Sequence, residues 1–177
     1  MSDAGNIALI GFMGSGKSSI GRLLAKKLRY RFVDTDQLVV KSAGMAITEI
    51  FKEHGEPFFR EQERLALESL HGWQRLVIAT GGGIVLRAEN VPLLREMAFV
   101  VWLTASEEIL FERVSRNTKR PLLHTENPRA TISALLAARR PLYENAAHFI
   151  IDTSTKPHAE IADEILSQAE RFFSCEK

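Results

Sequence analysis

A glycine-rich stretch near the start of the chain has the residue types and spacing of a phosphate-binding loop. Residues 11–18 read Gly-Phe-Met-Gly-Ser-Gly-Lys-Ser and fit the pattern G-x-x-x-x-G-K-[ST], between a short apolar run and a helical pattern. Glycines let successive backbone N–H groups point inward at phosphate oxygens, and the next helix starts there with its positive dipole end. Lys17 is expected to reach the β- and γ-phosphates, and the Ser18 hydroxyl to bind Mg²⁺. The predicted nucleotide-binding residues here are Gly14, Ser15, Gly16, Lys17, Ser18 and Ser19.

Two aspartates, Asp34 and Asp36, follow the second predicted strand. The third and fourth predicted strands run into threonine rather than an acid, so these two carboxylates are the ones placed to organise a magnesium ion. Residues i and i+2 of an extended chain point the same way, so both carboxylates can face one cleft. We assign Asp34 to hydrated Mg²⁺, through water, and Asp36 to the acceptor hydroxyl. The alternative is a solvated pair at the strand end, with Asp36 as a helix N-cap.

Strands and helices must alternate to bring these residues to one edge of a sheet. Apolar runs predict strands near residues 6–10, 31–33, 76–79, 99–103 and 149–151. Helices are predicted from Lys17 onward, near 37–43, 47–54, 58–71, 88–96, 129–146 and 158–173, and after an N-cap at Ser106, with breaks at Gly44 and Gly55-Glu56-Pro57. This order predicts one three-layer α/β domain over residues 1–177, in which helices cover both faces of a parallel sheet.

The composition excludes several classes of protein. The chain has 177 residues, 45% hydrophobic and 25% charged, which suits a soluble globular domain and not a disordered or repeat protein. No apolar run approaches the roughly 20 residues of a membrane span, and residues 1–6 lack the features of a signal peptide. Cys175 is the only cysteine, so no internal disulfide is expected. We therefore expect the protein to be located in the cytoplasm. No long exposed apolar pattern calls for a partner chain, and a monomer is expected.

The net charge of +1 conceals an uneven distribution. Residues 113–140 carry seven basic side chains and one acidic side chain. No aromatic residue lies between Phe111 and Tyr143, whereas surfaces that bind RNA usually interleave aromatic rings for stacking. We therefore expect no nucleic-acid or membrane partner, and we interpret the basic segment as part of a phosphoryl-transfer site. The alternative is a solvated basic loop at residues 115–128.

Six motifs in a fixed order resemble the shikimate kinase family. Besides the phosphate-binding loop they are Asp34-Thr35-Asp36, Phe59-Arg60-Glu61, Gly81-Gly82-Gly83, Arg120-Pro121-Leu122-Leu123 and Arg139-Arg140-Pro141-Leu142-Tyr143. Residues 60–85 also resemble that family's signature pattern. The resemblance implies a P-loop kinase fold with a five-stranded parallel sheet in the order 2-3-1-4-5. It further implies a mobile lid at about 115–128 and a substrate-binding helical segment at about 37–71.

The resemblance also implies an activity, the transfer of the γ-phosphate of ATP to the 3-hydroxyl of shikimate with Mg²⁺ as cofactor. The product, shikimate 3-phosphate, leads towards chorismate and the aromatic amino acids. Arg60 and Arg139 would hold the shikimate carboxylate, because a guanidinium matches a carboxylate with two parallel hydrogen bonds. Gly82 would approach the substrate through its backbone. Asp36 would act on the acceptor hydroxyl, either as general base or as an orienting group.

On the nucleotide side, the resemblance places Arg120 of the lid on the ATP phosphates and Arg113 near the adenine. Lys156 follows the last strand, where family members also contact the adenine. Lys17, Asp36 and Arg120 then form the predicted catalytic set.

The residues taken alone leave other interpretations open. Arg60 could be an exposed helix residue paired with Glu56 or Glu63, and residues 81–83 could be no more than a strand-to-helix turn. Phe59 could line the pocket or pack in the core. The alternative enzyme is a gluconate or nucleoside monophosphate kinase, and the alternative of another class is a catalytically silent nucleotide-binding regulator.

Overall fold

Five parallel strands form the centre of the fold. The computed structural model describes residues 5–116 and 127–175. The strands are β1 (Asn6–Ile10), β2 (Arg31–Asp34), β3 (Leu76–Ala79), β4 (Ala98–Thr104) and β5 (Phe149–Asp152). They pair in the order β2-β3-β1-β4-β5. The predicted order 2-3-1-4-5 is therefore confirmed.

Helices lie between successive strands and on both faces of the sheet. They are α1 (Lys17–Leu28), α2 (Thr35–Ala43), α3 (Ile47–Glu53), α4 (Gly55–Glu68), α5 (Asn90–Met97), α6 (Glu107–Ser115), α7 (Pro128–Ala146) and α8 (His158–Cys175). A short 3₁₀ turn covers Ile84–Leu86. The predicted three-layer α/β arrangement is confirmed. In the part of the chain that the structure describes, no helix has both the length and the apolar character needed to cross a membrane.

The central strand β1 shows why the sheet is covered on both sides. Ile7 and Leu9 pack in a cluster with residues of α1 and α8, whereas Ala8 and Ile10 pack in a cluster with residues of α4, α5 and α7. Alternate residues of a strand point to opposite faces, and all five residues of β1 are buried. The sheet therefore has a hydrophobic core on each face, and the ends of its strands are the places where polar functional residues can lie.

Asn6 of β1 is bonded to the start of β3 and to the residues that lead into β3 and β4, at the end of the sheet opposite to the phosphate-binding loop. Its side-chain amide donates to the carbonyl oxygens of Trp73 (2.7 Å) and Met97 (3.0 Å). Its side-chain oxygen accepts a hydrogen bond from the backbone N–H of Leu76 (2.9 Å). Asn6 is 4% exposed, so these bonds satisfy a polar group that burial would otherwise penalise.

Two predicted helix boundaries are wrong in informative ways. The second strand reaches Asp34 and α2 begins at Thr35, because Asp34 caps the helix. The predicted break at residues 55–57 is instead the first turn of α4, with Gly55 at a φ of 78°. Proline is tolerated in a first turn, where its missing N–H has no helical acceptor. Most of the predicted lid, residues 117–126 with Arg120, lies outside the described residues, between the end of α6 and the N-cap of α7 at Asn127.

Candidate active site

A cleft of about 360 Å³ opens at the carboxyl ends of the central strands, where open α/β sheets bind ligands. Its lining includes nine of the residues predicted from the sequence: Gly14, Gly16, Lys17, Ser18, Ser19, Asp34, Asp36, Gly82 and Arg113. Met13, Thr80 and His158 complete the lining. The structure thus brings the phosphate-binding loop, both aspartates and the glycine-rich segment to one place.

The phosphate-binding loop depends on glycine for its shape. Gly14 and Gly16 have φ angles of 82° and 97°, in the left-handed region that favours glycine. A β-carbon on Gly11, whose φ is 138°, would overlap the carbonyl oxygen of Leu103 in β4. The Nζ of Lys17 donates to the carbonyl oxygens of Gly11 (2.8 Å) and Phe12 (2.9 Å). The loop is therefore already curled in this structure, with its lysine held across it.

Asp34 and Asp36 meet in the cleft by a route that the spacing did not predict. Asp34 is the N-cap of α2 and accepts a hydrogen bond from the backbone N–H of Asp36 (3.1 Å). The interpretation of Asp36 as N-cap is wrong, and so is the extended geometry for the pair, because the chain has already turned into a helix at Thr35. The helix start, and not strand alternation, directs both carboxylates into the cleft.

Asp34 and Ser18 have the chemistry of a magnesium site. The Ser18 hydroxyl donates to Oδ2 of Asp34 over 3.0 Å, so two oxygen ligands of the kind that Mg²⁺ prefers lie side by side. Mg²⁺ is usually held by one or two carboxylates together with substrate phosphates. Among residues 5–116 and 127–175, no group of three or more acidic, histidine or cysteine side chains could hold a metal by itself. The residues present therefore fit an ion that arrives with a phosphate ligand.

Arg60 lies against the glycine-rich segment. Its guanidinium occupies the space that a β-carbon of Gly83 would take. It also pairs with Glu56 (2.8 Å) and with Glu63 (2.9 Å), and its side chain is 15% exposed. The pairing considered as an alternative for Arg60 is thus present, but the guanidinium is largely covered and in contact with the glycine loop. Phe59, beside it, is 5% exposed and belongs to a core cluster with Val39 and Ile50.

Glu63 is a buried acid that the sequence analysis named only as a possible partner of Arg60. Its side chain is 1% exposed, and a β-carbon on Gly81 would overlap Oε1 of Glu63 and lie 2.7 Å from Oδ1 of Asp36. The two carboxylates therefore approach the same glycine. Burial raises the pKa of Glu63, and the nearby charge of Asp36 raises it further, while Arg60 and Arg139 oppose the shift.

Arg139 and Tyr143 reach the same glycine-rich segment from α7. The Nη1 of Arg139 donates to the carbonyl oxygen of Gly82 (3.2 Å), and the hydroxyl of Tyr143 donates to that same oxygen. Arg139 also lies over the ring of Phe12, with 5.7 Å from Cζ to the ring centroid. The two arginines predicted to hold a carboxylate thus contact adjacent glycines, Arg60 at Gly83 and Arg139 at Gly82.

Arg113 and Lys156, predicted near the adenine, have different surroundings. Arg113 donates to the carbonyl oxygens of Gly14 (3.3 Å) and Thr153 (2.7 Å), so it joins the phosphate-binding loop to the segment after β5. Lys156 pairs with Glu164 of α8 (2.6 Å), and its side chain is 45% exposed. Lys156 is not among the residues that line the cleft, whereas Arg113 is. Ser15 is buried beneath the loop, and its carbonyl oxygen accepts a hydrogen bond from the Thr153 hydroxyl (3.1 Å).

Sequence reasoning missed several residues of the site. Thr80 stands directly before the triple glycine and could have been found as a strand end that points at the cleft. Tyr143 lies in the last of the motifs, one helical turn after Arg139, but no role was assigned to it. His158 lines the cleft from the start of α8, and nothing in its sequence neighbourhood signals that position.

Comparison with known proteins gives one consistent result. The family model described as shikimate kinase matches residues 13–170. The shikimate kinase of Thermodesulfovibrio yellowstonii is 48% identical over 166 residues, which are 94% of this chain and 95% of the relative. That of Geobacter sulfurreducens is 46% identical over 164 residues, 93% of this chain and 90% of the relative.

A solved structure agrees with the sequence relatives. Shikimate kinase from Acinetobacter baumannii in complex with shikimate superposes with a TM-score of 0.88 at 38% identity, covering 93% of this chain and 92% of that one. The fold, the phosphate-binding loop and the long sequence matches have the same explanation. The chain belongs to the shikimate kinase family.

Proposed function

We propose that this chain transfers the γ-phosphate of ATP to the 3-hydroxyl of shikimate and releases ADP and shikimate 3-phosphate. As a member of the shikimate kinase family the chain is a phosphotransferase. The observation that carries the proposal is the shared cleft in which Asp36 lies with Lys17 and Gly82. Arg60 and Arg139 contact the glycine segment that forms one wall of that cleft. The arrangement offers one region for phosphates and another for a carboxylic acid with hydroxyl groups.

The phosphate-binding loop would hold the nucleotide through its backbone N–H groups and Lys17. Lys17 now donates to two loop carbonyl oxygens, and it would donate to the β- and γ-phosphates instead when ATP binds. Ser18 directly, and Asp34 through water, would hold Mg²⁺, which would offset charge on the phosphates when bound. Catalysis of this kind rests on positioning and charge stabilisation, and the preformed loop supplies the positioning.

The acceptor would be held from the opposite side. Arg60 and Arg139 would bind the shikimate carboxylate with paired N–H groups, and Gly82 would allow close approach because it has no side chain. Asp36 would accept the hydrogen of the 3-hydroxyl and direct the oxygen at the γ-phosphorus atom. Glu63, buried beside Asp36, would keep the Arg60 guanidinium in place while the substrate carboxylate binds.

The remaining predicted residues complete the nucleotide side of the proposal. Arg113 would contact the adenine end, Ser19 and the backbone of Ser15 the phosphates, and Lys156 would take part only after leaving Glu164. Arg120, in the predicted lid, would add positive charge at the transferring phosphate. We also propose that the chain acts as a monomer in the cytoplasm; a single cysteine, Cys175, is in keeping with a reducing compartment.

A coupled assay of ADP release tests the proposal. Purified protein is supplied with ATP and, in separate reactions, shikimate, gluconate or a nucleoside monophosphate, each with and without Mg²⁺. Of the three acceptors, we expect only shikimate to be phosphorylated, and only when Mg²⁺ is present. Turnover of gluconate or of the nucleotide but not of shikimate would assign the other kinase class. ATP binding without turnover of any acceptor would assign a silent regulator.

A further inference from the structure

Tyr143 occupies a position between the sheet and the proposed acceptor site. It lies in α7 one helical turn after Arg139, so both side chains extend from the same face of the helix. Its side chain is 1% exposed and stacks on Trp102 of β4, with ring centroids 5.6 Å apart and an interplanar angle of 23°. The ring is therefore fixed by packing, and only its hydroxyl reaches the glycine-rich segment.

That hydroxyl and Arg139 share one acceptor. Both donate to the carbonyl oxygen of Gly82, the tyrosine through Oη and the arginine through Nη1. A carbonyl oxygen has two lone pairs, so the two donors together use its capacity. Burial raises the pKa of Tyr143 to about 12, so the phenol keeps its proton and remains a donor at neutral pH.

The peptide that these donors hold has no side chains of its own to fix it. Gly82 lines the cleft, and the next residue, Gly83, is covered by the guanidinium of Arg60. A glycine backbone is the least restricted in the chain, so hydrogen bonds have to supply the order that side chains supply elsewhere. The Gly82 carbonyl therefore sets where Arg139 lies relative to Arg60, which Glu56 and Glu63 hold in place.

We propose that Tyr143 is a positioning residue for acceptor binding, because its hydroxyl fixes the Gly82 carbonyl and so keeps Arg139 available to the shikimate carboxylate. Without the hydroxyl, Arg139 becomes the only α7 donor to that oxygen and moves towards it. The Gly82 carbonyl then loses one of its two donors from α7, although Gly81 and Gly83 keep their own backbone hydrogen bonds, and the distance between the two guanidinium groups changes. This inference rests on the proposed function, since it concerns the acceptor of that same reaction.

The test is a comparison of two tyrosine variants, because the chain has only two tyrosines. In Tyr143→Phe we expect the KM for shikimate to rise about tenfold, because the hydrogen bond that fixes the Gly82 carbonyl is lost and Arg139 is displaced. We expect kcat and the KM for ATP to stay within about twofold. The matched control, Tyr30→Phe, lies between α1 and β2 and is expected to leave all three constants unchanged. An unchanged KM for shikimate in Tyr143→Phe would overturn the inference, and so would equal losses for shikimate and ATP.

A neutral substrate separates positioning from packing. Shikimate methyl ester has no negative charge and cannot form the paired, charge-assisted hydrogen bonds that a carboxylate forms with arginine, so Tyr143→Phe should raise its KM much less than it raises the KM for shikimate. A similar loss for acid and ester would indicate a structural role and contradict the inference. Absence of shikimate turnover in the unmodified enzyme would instead refute the proposed function, and the two failures are therefore distinguishable.

A spectroscopic measurement decides the matter even if Tyr143→Phe does not fold. Tyr30→Phe protein made with 3-fluorotyrosine has a single fluorine probe, at position 143. We expect its ¹⁹F resonance to shift when shikimate is added, and to shift little with shikimate methyl ester. A resonance that does not respond to saturating shikimate would overturn the inference.

Discussion

At the scale of single residues, the Arg60 guanidinium can take its position only because residue 83 is a glycine and has no side chain. The guanidinium of Arg60 lies where a side chain of residue 83 would begin, and Gly83 has a φ of −105°, which alanine can also adopt. A methyl group at this position would therefore be tolerated by the backbone but not by the arginine. The acceptor site would change while the fold remained.

Gly83→Ala should accordingly raise the KM for shikimate by about tenfold or more, because a displaced guanidinium loses a charged hydrogen bond to the carboxylate. The KM for ATP should stay within about twofold, since the phosphate-binding loop is not touched. Steady-state kinetics with each substrate varied in turn measures both. Normal shikimate kinetics in this variant would mean that Arg60 does not bind the shikimate carboxylate.

Asp36 is the residue on which the phosphate-transfer chemistry itself depends. Asp36→Asn keeps the size of the side chain but cannot take a proton, and we expect turnover to fall by about 10²–10⁴-fold. Binding of ATP, followed by calorimetry, should remain close to normal. Asp152→Asn is the matched control. Asp152 lies at the end of β5, where its side chain accepts a hydrogen bond from the backbone N–H of Ser154 (2.6 Å). Near-normal turnover in Asp36→Asn would exclude a role as general base, because the amide oxygen can still accept a hydrogen bond but cannot take the proton.

The individual residues show where sequence reasoning stops. A motif with backbone requirements, such as the loop ending at Lys17, can be predicted because only glycine meets those requirements. The direction of Asp36 could not, since it depends on whether the chain turns into a helix at residue 34 or at residue 36. The role of Tyr143 could not be predicted either, because its acceptor, Gly82, is distant in sequence and is brought close only by the packing of α7.

At the scale of elements, α4 is tied to the segment after the glycine loop by one acid. Glu61 accepts hydrogen bonds from Arg64 in its own helix (2.9 Å) and from Arg87 beyond the 3₁₀ turn. These bonds, first to Arg64 and then to Arg87, lower the pKa of Glu61 from 4.5 to about 2. A carboxylate whose pKa is lowered in the folded state adds stability above its ordinary pKa, and that stability is lost as the pH falls through the lowered value.

Glu61→Gln should therefore unfold at a lower denaturant concentration than the unmodified protein at about pH 7. The difference should narrow as the pH falls below about 4.5 and disappear only below about pH 2, where Glu61 of the folded protein has also taken up its proton. Urea titrations followed by circular dichroism at these pH values measure the effect. A difference that is constant with pH would mean that the ion pairs of Glu61 do not stabilise the fold.

The elements were predicted more completely than their boundaries. Buried apolar runs and helical periodicity were enough for the order of strands and helices, because a parallel sheet needs a crossover between successive strands. The starts of α2 and α4 were wrong because a cap or a first-turn proline shifts a boundary without altering the periodicity. The segment that contains Arg120 remains a prediction.

At the scale of the whole molecule, the two ends of the sheet have different tasks. The carboxyl ends of the strands form the cleft, whereas Asn6 at the opposite end joins β1 to the backbone near β3 and β4. A change at that opposite end should affect stability and leave the substrate sites intact. The fold therefore allows the two properties to be altered separately.

Asn6→Ala should lower the free energy of unfolding by about 2 kcal/mol, since it leaves the buried N–H of Leu76 and the partly buried carbonyl oxygens of Trp73 and Met97 without their partner. The KM values for shikimate and ATP should stay within about twofold at a temperature where the variant is folded. Chemical denaturation and steady-state kinetics on the same preparation measure the two properties. A change in either KM would show that the ends of the sheet are coupled.

The pairing of β1 also determines when the protein can assemble during synthesis. This strand is translated before both of its neighbours in the sheet: Ile7 pairs with Val77 of β3 and Phe99 of β4, and Gly11 packs on the carbonyl of Leu103. The contacts with β4 cannot form until β4 has left the ribosome, and such long-range pairing slows folding. The phosphate-binding loop is thus made well before the strand on which it packs, and the nascent chain must stay unaggregated in the interval.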